Sequence, residues 1–319
     1  MSVSRTTGFL ALALALGSGA DRSEAAESGT GFYLLGTRSA QAGILPPAGL
    51  YVQNDLYLYS GSASAGQSLP LGGELVADID AVAYIDLLTA LWVLPGEVLG
   101  GSLALQGTLP VGGQDVDAAL ALAGSGLGAS VSDDVFTVGD PVLGASLGWH
   151  AGRLHWSASA LVNVPLGNYE EGEVANVAFH RWGLDLGGAV TWFDPDSGWD
   201  LSAAAGITLN GENPDTDYRT GTEFHLEGAV TRQITPAFSA GVVGYYYEQL
   251  TGDSGAGARL GSFKGRVAAL GATAAYNFRI GATPVAARLR VYREFAARNR
   301  LEGTAGFLTL TVPLGLSGN

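Results

Sequence analysis

Hydrophobic and polar residues alternate with a period of two along most of the chain beyond residue 50. Within residues 182–193, for example, Leu184, Leu186 and Val190 share one parity while Asp185 and Thr191 share the other. Successive side chains of a β-strand point to opposite sides, so such a segment has one apolar wall and one polar wall. A helix would mix the two sets. The pattern therefore predicts strands rather than helices.

The segments with this character are predicted as strands in chain order. They are residues 50–60, 74–94, 98–109, 142–150, 154–164, 182–193, 199–210, 222–234, 237–250, 266–278, 284–295 and 303–313. The count is about twelve, an even number, as bacterial single-chain outer-membrane barrels require.

The connections between these strands alternate in length. Short links carry turn residues such as Pro95-Gly96, Ala151-Gly152 and Gly281-Ala282, whereas the long links are residues 61–73, 111–141, 165–181, 211–221, 251–265 and 296–302. Outer-membrane barrels join their strands by short periplasmic turns and longer external loops. We therefore predict an all-β fold, a transmembrane antiparallel up-and-down β-barrel over residues 50–319. A soluble β-sandwich is disfavoured, because nothing would put its long connections at one end.

Composition excludes several other classes of protein. Apolar residues make up 47% of the chain and charged residues only 14%, yet beyond the N-terminus no apolar run reaches the roughly 18 residues of a membrane-spanning helix. The net charge of -14 argues against a nucleic-acid partner, since such surfaces are basic. Cysteine is absent, which excludes disulfides and thiolate chemistry. No cofactor is predicted.

The first residues have the organisation of a secretory signal peptide. Arg5 precedes the short apolar stretch of residues 8–16, and small residues follow it. Residues 1–26 are therefore predicted to be the signal peptide, with cleavage between about residues 20 and 26 left open. Residues 27–49 are then either a loose periplasmic leader or a plug that folds into the lumen, and both interpretations stay open.

Charged residues on the polar faces are predicted to point into the lumen, because a charge that faces lipid at the bilayer midplane costs up to about 4 kcal/mol. In residues 74–94 this assigns Ile79, Ala81 and Ile85 to lipid. The pore-lining candidates are Asp78, Asp80, Asp86, Asp185, Glu223, His225, Glu227, Arg266, Arg288, Arg290 and Glu294. In a pore, such charges set selectivity, although they can also simply solvate the interior.

No catalytic or metal-binding residues are predicted. His155, Ser157 and Ser159 share a face, but a serine nucleophile also needs a base within hydrogen-bond reach and a group that orients the base. His225 lies between Glu223 and Glu227, a spacing too common in polar lumens to define a metal site. An enzyme is therefore not expected.

Long ordered stretches of the chain resemble a known family. They are SGTGFYLLGTRSAQAGILPPAGLYVQNDLYLYSG at residues 28–61, GDPVLGASLGWHAGRLHWSASALVNVPLGNY at 139–169, NGENPDTDYRTGTEFHLEGAV at 210–230, GYYYEQLTGDSGAGARLGSFKGRVAALG at 244–271 and REFAARNRLEG at 293–303. They are similar to outer-membrane transporters named for the meta-pathway of phenol degradation. The final residues Val312-Pro313-Leu314-Gly315-Leu316-Ser317-Gly318-Asn319 depart from the terminal aromatic residue of many outer-membrane barrels.

The resemblance implies an outer-membrane channel that passes small hydrophobic or aromatic compounds. The expected partners are outer-membrane lipid and lipopolysaccharide, the small hydrophobic or aromatic ligand, and the barrel-assembly machinery. About twelve strands predict a narrow lumen, because barrels of eight strands are filled by side chains and those of about sixteen hold an aqueous channel. The alternative is a non-transporting structural or adhesive barrel of the same membrane.

Overall fold

The computed structural model of the protein describes residues 31–71, 74–121, 128–258 and 264–314. The predicted signal peptide lies outside these residues. No helix within the described residues is long and apolar enough to cross a membrane.

Every regular element of the described chain is a β-strand, as the alternation predicts. The strands are β1 (Gly49–Leu71), β2 (Glu74–Val93), β3 (Ser102–Ala121), β4 (Gly128–Val138), β5 (Val142–Ala151), β6 (Leu154–Asn163), β7 (Gly183–Asp194), β8 (Trp199–Asn210), β9 (Glu212–Asn213), β10 (Tyr218–Arg219), β11 (Glu223–Gln233), β12 (Phe238–Gln249), β13 (Arg266–Ile280), β14 (Thr283–Arg298) and β15 (Glu302–Leu314). The pair β9–β10 forms a small separate hairpin in the link between β8 and β11.

The large sheet closes into an antiparallel barrel. Its hydrogen-bonded order is β2-β1-β15-β14-β13-β12-β11-β8-β7-β6-β5-β3-β4, and β2 also pairs with β3, which closes the ring. Strand β3 pairs with β5 through residues 102–108 and with β4 through residues 111–121, so β4 and β5 share one position in the wall. The fold is therefore a closed twelve-stranded barrel, which confirms the predicted fold class.

Two of the predicted long loops are wrong, because the chain there continues as strand. β1 runs to Leu71 and pairs with β2, while β3 and β4 form a ribbon within residues 111–138. Val131 and Val135 of β4 pack against Val116 and Ala118 of β3, so this ribbon has its own apolar face. The many small residues in both regions resemble loop composition, but pairing that starts in the barrel wall extends through them.

The short turns lie where the sequence predicts them. Gly152 joins β5 to β6 and Gly281 joins β13 to β14, with φ values of 59° and 61°. This left-handed conformation is strained for residues that carry a Cβ, which explains glycine at both turns.

The outward face of the wall is apolar. Its exposed side chains include Leu186, Val190, Leu201, Leu226, Val230, Val242, Leu270, Leu289 and Leu308. Trp92, Trp156, Trp192 and Trp199 are exposed near the strand ends that adjoin the short turns. Tryptophan is enriched where a membrane meets water, so this ring marks one interfacial girdle.

Candidate channel and lumenal cavity

The described part of the N-terminal segment, residues 31–48, runs along the inner face of the barrel. The Tyr33 hydroxyl donates to a Glu227 carboxylate oxygen at 2.6 Å, and the Arg38 amide donates to the other at 3.0 Å. Closer to the turns, the Gln41 amide donates to the Ser202 hydroxyl at 3.0 Å. The segment thus contacts inward side chains of β8 and β11.

Two arginines of β14 bind the main chain of the same segment. Arg290 donates to the carbonyl oxygens of Gly36 and Thr37 at 2.8 and 2.7 Å, and Arg288 donates to that of Ala40 at 2.9 Å. Arg290 also donates to Asp55 on β1 at 2.8 Å. These cationic donors satisfy carbonyl groups that no regular structure satisfies, so they hold the N-terminal segment against the wall.

Glycine allows the segment to approach the wall closely. A Cβ on Gly43 would lie 2.8 Å from the Thr191 amide nitrogen and 2.9 Å from the His155 carbonyl oxygen. Conversely, a Cβ on Gly183 of β7 would lie 2.4 Å from the Phe32 ring. The segment and the wall are therefore complementary in shape at both points.

A cavity of about 310 Å³ lies between the N-terminal segment and β1–β3. One side of the cavity is an apolar row on β2, named here the apolar wall: Ile79, Ala81, Ala83, Ile85 and Leu87. Phe32, Leu34 and Leu35 of the N-terminal segment line it from the other side, with Tyr57 and Tyr59 of β1. The lumen thus has a polar half filled by the segment and an apolar half beside an open space.

The link between β6 and β7, named here the β6–β7 loop (residues 164–182), borders the cavity with Val174, Val177 and Phe179. Asp140 anchors this loop, since one of its oxygens accepts from the Gly167 amide and the other from the Phe179 and His180 amides. The side-chain amide of Asn163 also donates to Asp140, at 3.0 Å. The buried carboxylate thereby fixes the loop over the cavity.

A second contact of the β6–β7 loop involves two carboxylates. Asp133 accepts from the Ala175 amide at 2.8 Å, and its negative charge raises the pKa of the neighbouring Glu173. A neighbouring negative charge disfavours the ionised form of Glu173. This contact should therefore respond to pH.

Glu294 on β14 forms the polar end of the cavity. One oxygen accepts from the Tyr245 hydroxyl at 2.8 Å, and the other accepts from the Tyr59 hydroxyl and the Gly303 amide, both at 2.8 Å. Glu223 similarly accepts from the Tyr247 hydroxyl at 2.6 Å and from the side-chain amide of Asn210 at 2.9 Å. Three tyrosines thus compensate the burial of these two acids.

Most of the predicted pore-lining residues lie on the inward face. They are Asp185, Glu223, His225, Glu227, Arg288, Arg290 and Glu294. His225 contacts Asp185 at 2.8 Å and stacks on Tyr33, with ring centroids 3.6 Å apart. These residues mostly contact one another or the N-terminal segment rather than open space.

The prediction is wrong for Asp80, Asp86 and Arg266, which the structure places on the outward face, while the Asp78 side chain lies outside the described residues. Asp86 accepts from the Asn54 side-chain amide at 2.6 Å on that face. Alternation separates two faces of a strand but does not say which one meets lipid. On β2 the apolar row faces the cavity, so the assignment of faces is inverted there.

Arg266 is outward because the buried residues of β13, which are Val267, Ala269 and Thr273, all have the opposite parity. Its partner in the register is Glu248, which accepts from the Tyr246 hydroxyl at 2.6 Å. The three polar side chains therefore belong to the outer rim of the barrel.

Sequence reasoning missed several residues of the cavity and its surroundings. Asp55 and Tyr59 share the parity of Tyr51 and Tyr57 on β1, so a polar inner face could have been read from residues 50–60. Asp140 and Arg300 lie in links between strands, where no periodicity signals a role.

The closed barrel, its apolar outer face and its structured lumen define an outer-membrane β-barrel, located in the bacterial outer membrane. Residues 64–310 match the profile of the family described as "Putative MetA-pathway of phenol degradation". The chain belongs to this family, as its resemblance at residues 28–303 implies. No curated protein matches the sequence.

Among solved structures, the chain is similar to the COG4313 outer membrane channel from Pseudomonas putida F1, with a TM-score of 0.68 and 18% identity over 86% of this chain and 98% of that one. It is also matched by the translocator domain of the autotransporter NalP from Neisseria meningitidis (TM-score 0.45, 13% identity, 84% and 90% covered) and a FadL homologue from Pseudomonas aeruginosa (0.41, 10%, 86% and 92%). The first similarity supports the barrel fold, and the other two are too distant to add to it.

Proposed function

We propose that the protein is a channel that passes small apolar or aromatic compounds across the outer membrane, one molecule at a time. The observation that carries this proposal is the apolar wall, which faces the cavity instead of lipid. The interior of an aqueous pore is lined by polar residues, so an apolar wall is not expected there. Sites for small molecules are concave, mostly apolar and carry a few polar groups.

The N-terminal segment is the plug of this channel in our proposal. Its polar contacts with Glu227, Arg288 and Arg290 would hold it against one half of the lumen. The remaining space of about 310 Å³ suits one small molecule rather than bulk solute. Opening then requires a shift of the segment or of the β6–β7 loop.

Transport is favoured over catalysis by the environment of the lumenal histidine. His225 contacts Asp185 and stacks on Tyr33, and neither His225 nor Asp185 is among the described residues that line the cavity. We also propose that lipopolysaccharide surrounds the external half of the barrel and that the barrel-assembly machinery inserts it.

Uptake into vesicles tests the proposal. Vesicles that contain the purified protein should accumulate radiolabelled toluene derivatives or benzyl alcohol faster than protein-free vesicles, and Ile85→Asn should reduce this gain while Ile85→Val preserves it. Asparagine places an amide in the apolar wall, whereas valine keeps its character. Uptake that matches protein-free vesicles, together with silent planar bilayers, would favour the structural or adhesive alternative.

A further inference from the structure

One cationic side chain borders the cavity without a direct ionic contact to another described residue. Arg300 lies in the link between β14 and β15, which the strands reduce from the predicted residues 296–302 to residues 299–301, and lines the cavity together with Tyr59 and Glu294. Its side chain is buried, with 8% of the residue exposed. Its Nη1 atom has no hydrogen-bond partner among the described residues.

The nearest acids do not neutralise this guanidinium by direct contact. Within the described chain, no carboxylate oxygen lies within 4.0 Å of Arg300. Glu294 and Glu223 are occupied by tyrosine hydroxyls and amide donors, as described above. Burial opposes the charge of Arg300, but the neighbouring Tyr247, Glu294 and Glu223 outweigh it and hold the pKa of the guanidinium above its ordinary value. In the part of the chain that the structure describes, the group therefore stays charged without a direct ionic contact, and its Nη1 atom lacks an acceptor.

The guanidinium is nevertheless held in position. Its central carbon lies 4.1 Å from the centroid of the Tyr247 ring, a cation–π contact. The Tyr247 hydroxyl donates to Glu223 at 2.6 Å, which fixes the ring itself. Arg300 is therefore oriented beside the cavity before any ligand arrives.

We propose that Arg300 is the anion-binding group of the cavity and that the channel accepts aromatic carboxylates, with the carboxylate on Arg300 and the ring against the apolar wall. This inference rests on the proposed function and specifies its substrate class. A guanidinium matches the planar geometry of a carboxylate and can donate two parallel hydrogen bonds to it. The apolar wall and Phe32 then cover the ring.

Calorimetric titration of the full exported chain in detergent tests this assignment with two probes of nearly equal shape. Phenylacetate carries the carboxylate, and phenylacetamide replaces it with a neutral amide. Arg300→Gln should weaken phenylacetate binding roughly tenfold or more, the loss expected for a charge-assisted contact, and leave phenylacetamide binding within about twofold. Arg298→Gln is the matched control, because it removes an equal charge from an exposed position in the same hairpin.

A merely structural arginine would change the affinities for both probes equally, and equal changes overturn the proposal. If Arg300→Gln does not give a folded barrel, Arg300→Lys serves instead, since it keeps the charge and loses the planar fork. Phenylacetate affinity should then fall severalfold with phenylacetamide unaffected, and an unchanged phenylacetate affinity overturns the proposal.

If the wild type does not bind phenylacetate but its vesicles take up benzyl alcohol, the inference fails and the proposed channel stands. If neither occurs, both fail.

Discussion

Tyr33 lies flat on His225, with 3.6 Å between the ring centroids and 15° between the ring planes, while its hydroxyl donates to Glu227. The stacked pair joins the N-terminal segment to β11 at the centre of the polar half of the lumen. Both partners are buried, so this contact excludes water. It is the strongest single candidate for what keeps the segment in place.

Removal of the Tyr33 hydroxyl should loosen the N-terminal segment. Tyr33→Phe retains the stacked ring but deletes a hydrogen bond to a charged group, a loss of about 1.5–3 kcal/mol. Single-channel recordings in planar bilayers should therefore show longer or more frequent open events than the wild type.

The matched control for this change is Tyr246→Phe. Tyr246 lies on the outward rim and donates to Glu248, so its hydroxyl has a similar partner but no contact with the N-terminal segment. If both variants alter the recordings to the same degree, the contact with Glu227 does not hold the channel closed.

A side chain at Gly43 should displace the segment by steric force. Even the Cβ of Gly43→Ala would lie 2.8 Å from a backbone atom of Thr191, closer than real Cβ contacts, and backbone cannot yield as a flexible side chain can. We expect Gly43→Ala to increase proteolysis of residues 31–48 in the intact barrel. Gly306→Ala is the control, because its Cβ would meet its nearest atom at 3.9 Å. If residues 31–48 are equally protected from proteolysis in both variants, the close packing of Gly43 against the wall is contradicted.

Strand number and the positions of the short turns could be predicted from the sequence, because alternation and turn residues are local signals. The outward row of β7, with Leu186 and Val190, also follows directly from it. Alternation does not tell which face of a strand points to lipid, since an apolar row can face lipid or an apolar lumen. The neighbouring strands decide the orientation, as where Tyr57 pairs with Ile85 across β1 and β2.

The candidate site was only partly predictable for the same reason. Charged residues that contact the N-terminal segment, such as Glu227 and Arg290, stand out as polar positions in apolar strands. Arg300 and Asp140 acquire their roles from three-dimensional proximity across links between strands. No spacing in the sequence carries that information.

The inverted faces of β2 can be tested directly, because the chain contains no cysteine that would interfere with labelling. We expect a fluorophore on Asp86→Cys to be quenched by a lipid-soluble quencher, since Asp86 faces outward. A fluorophore on the adjacent Ile85→Cys should be protected from the same quencher, because Ile85 lines the cavity. The reverse pattern would restore the assignment made from alternation and remove the apolar wall.

The contact between Glu173 and Asp133 predicts a dependence of the β6–β7 loop on pH. The pKa of Glu173 is raised above its ordinary value of 4.5, so the ordered loop binds a proton more readily than the free chain. Its stabilisation is present below that ordinary value and is lost as pH rises through the raised one. Hydrogen-exchange protection of residues 174–178, corrected for intrinsic rates, should therefore be greater at about pH 4 than at about pH 7.

Glu173→Gln should flatten this dependence, because glutamine carries no charge to repel Asp133. Glu171→Gln changes an exposed carboxylate two residues away and should retain the dependence of the wild type. A profile that is equally steep in all three proteins would assign the effect to other groups.

Asp140 should decide whether the β6–β7 loop stays over the cavity. Its carboxylate is buried and accepts from three main-chain amides of this loop and from Asn163. Asp140→Ala leaves these donors without an acceptor, at a cost of at least about 2 kcal/mol to the ordered loop. Because Val177 and Phe179 line the cavity, release of the loop should also open the apolar space to the outside.

A glutamate-specific protease should then cleave the loop at Glu170, Glu171 or Glu173 faster than in the wild type, and uptake of benzyl alcohol should rise. Asp134→Ala, a change at an exposed carboxylate, should alter neither rate. Faster cleavage without faster uptake would mean that the loop is anchored by Asp140 but does not limit access to the channel.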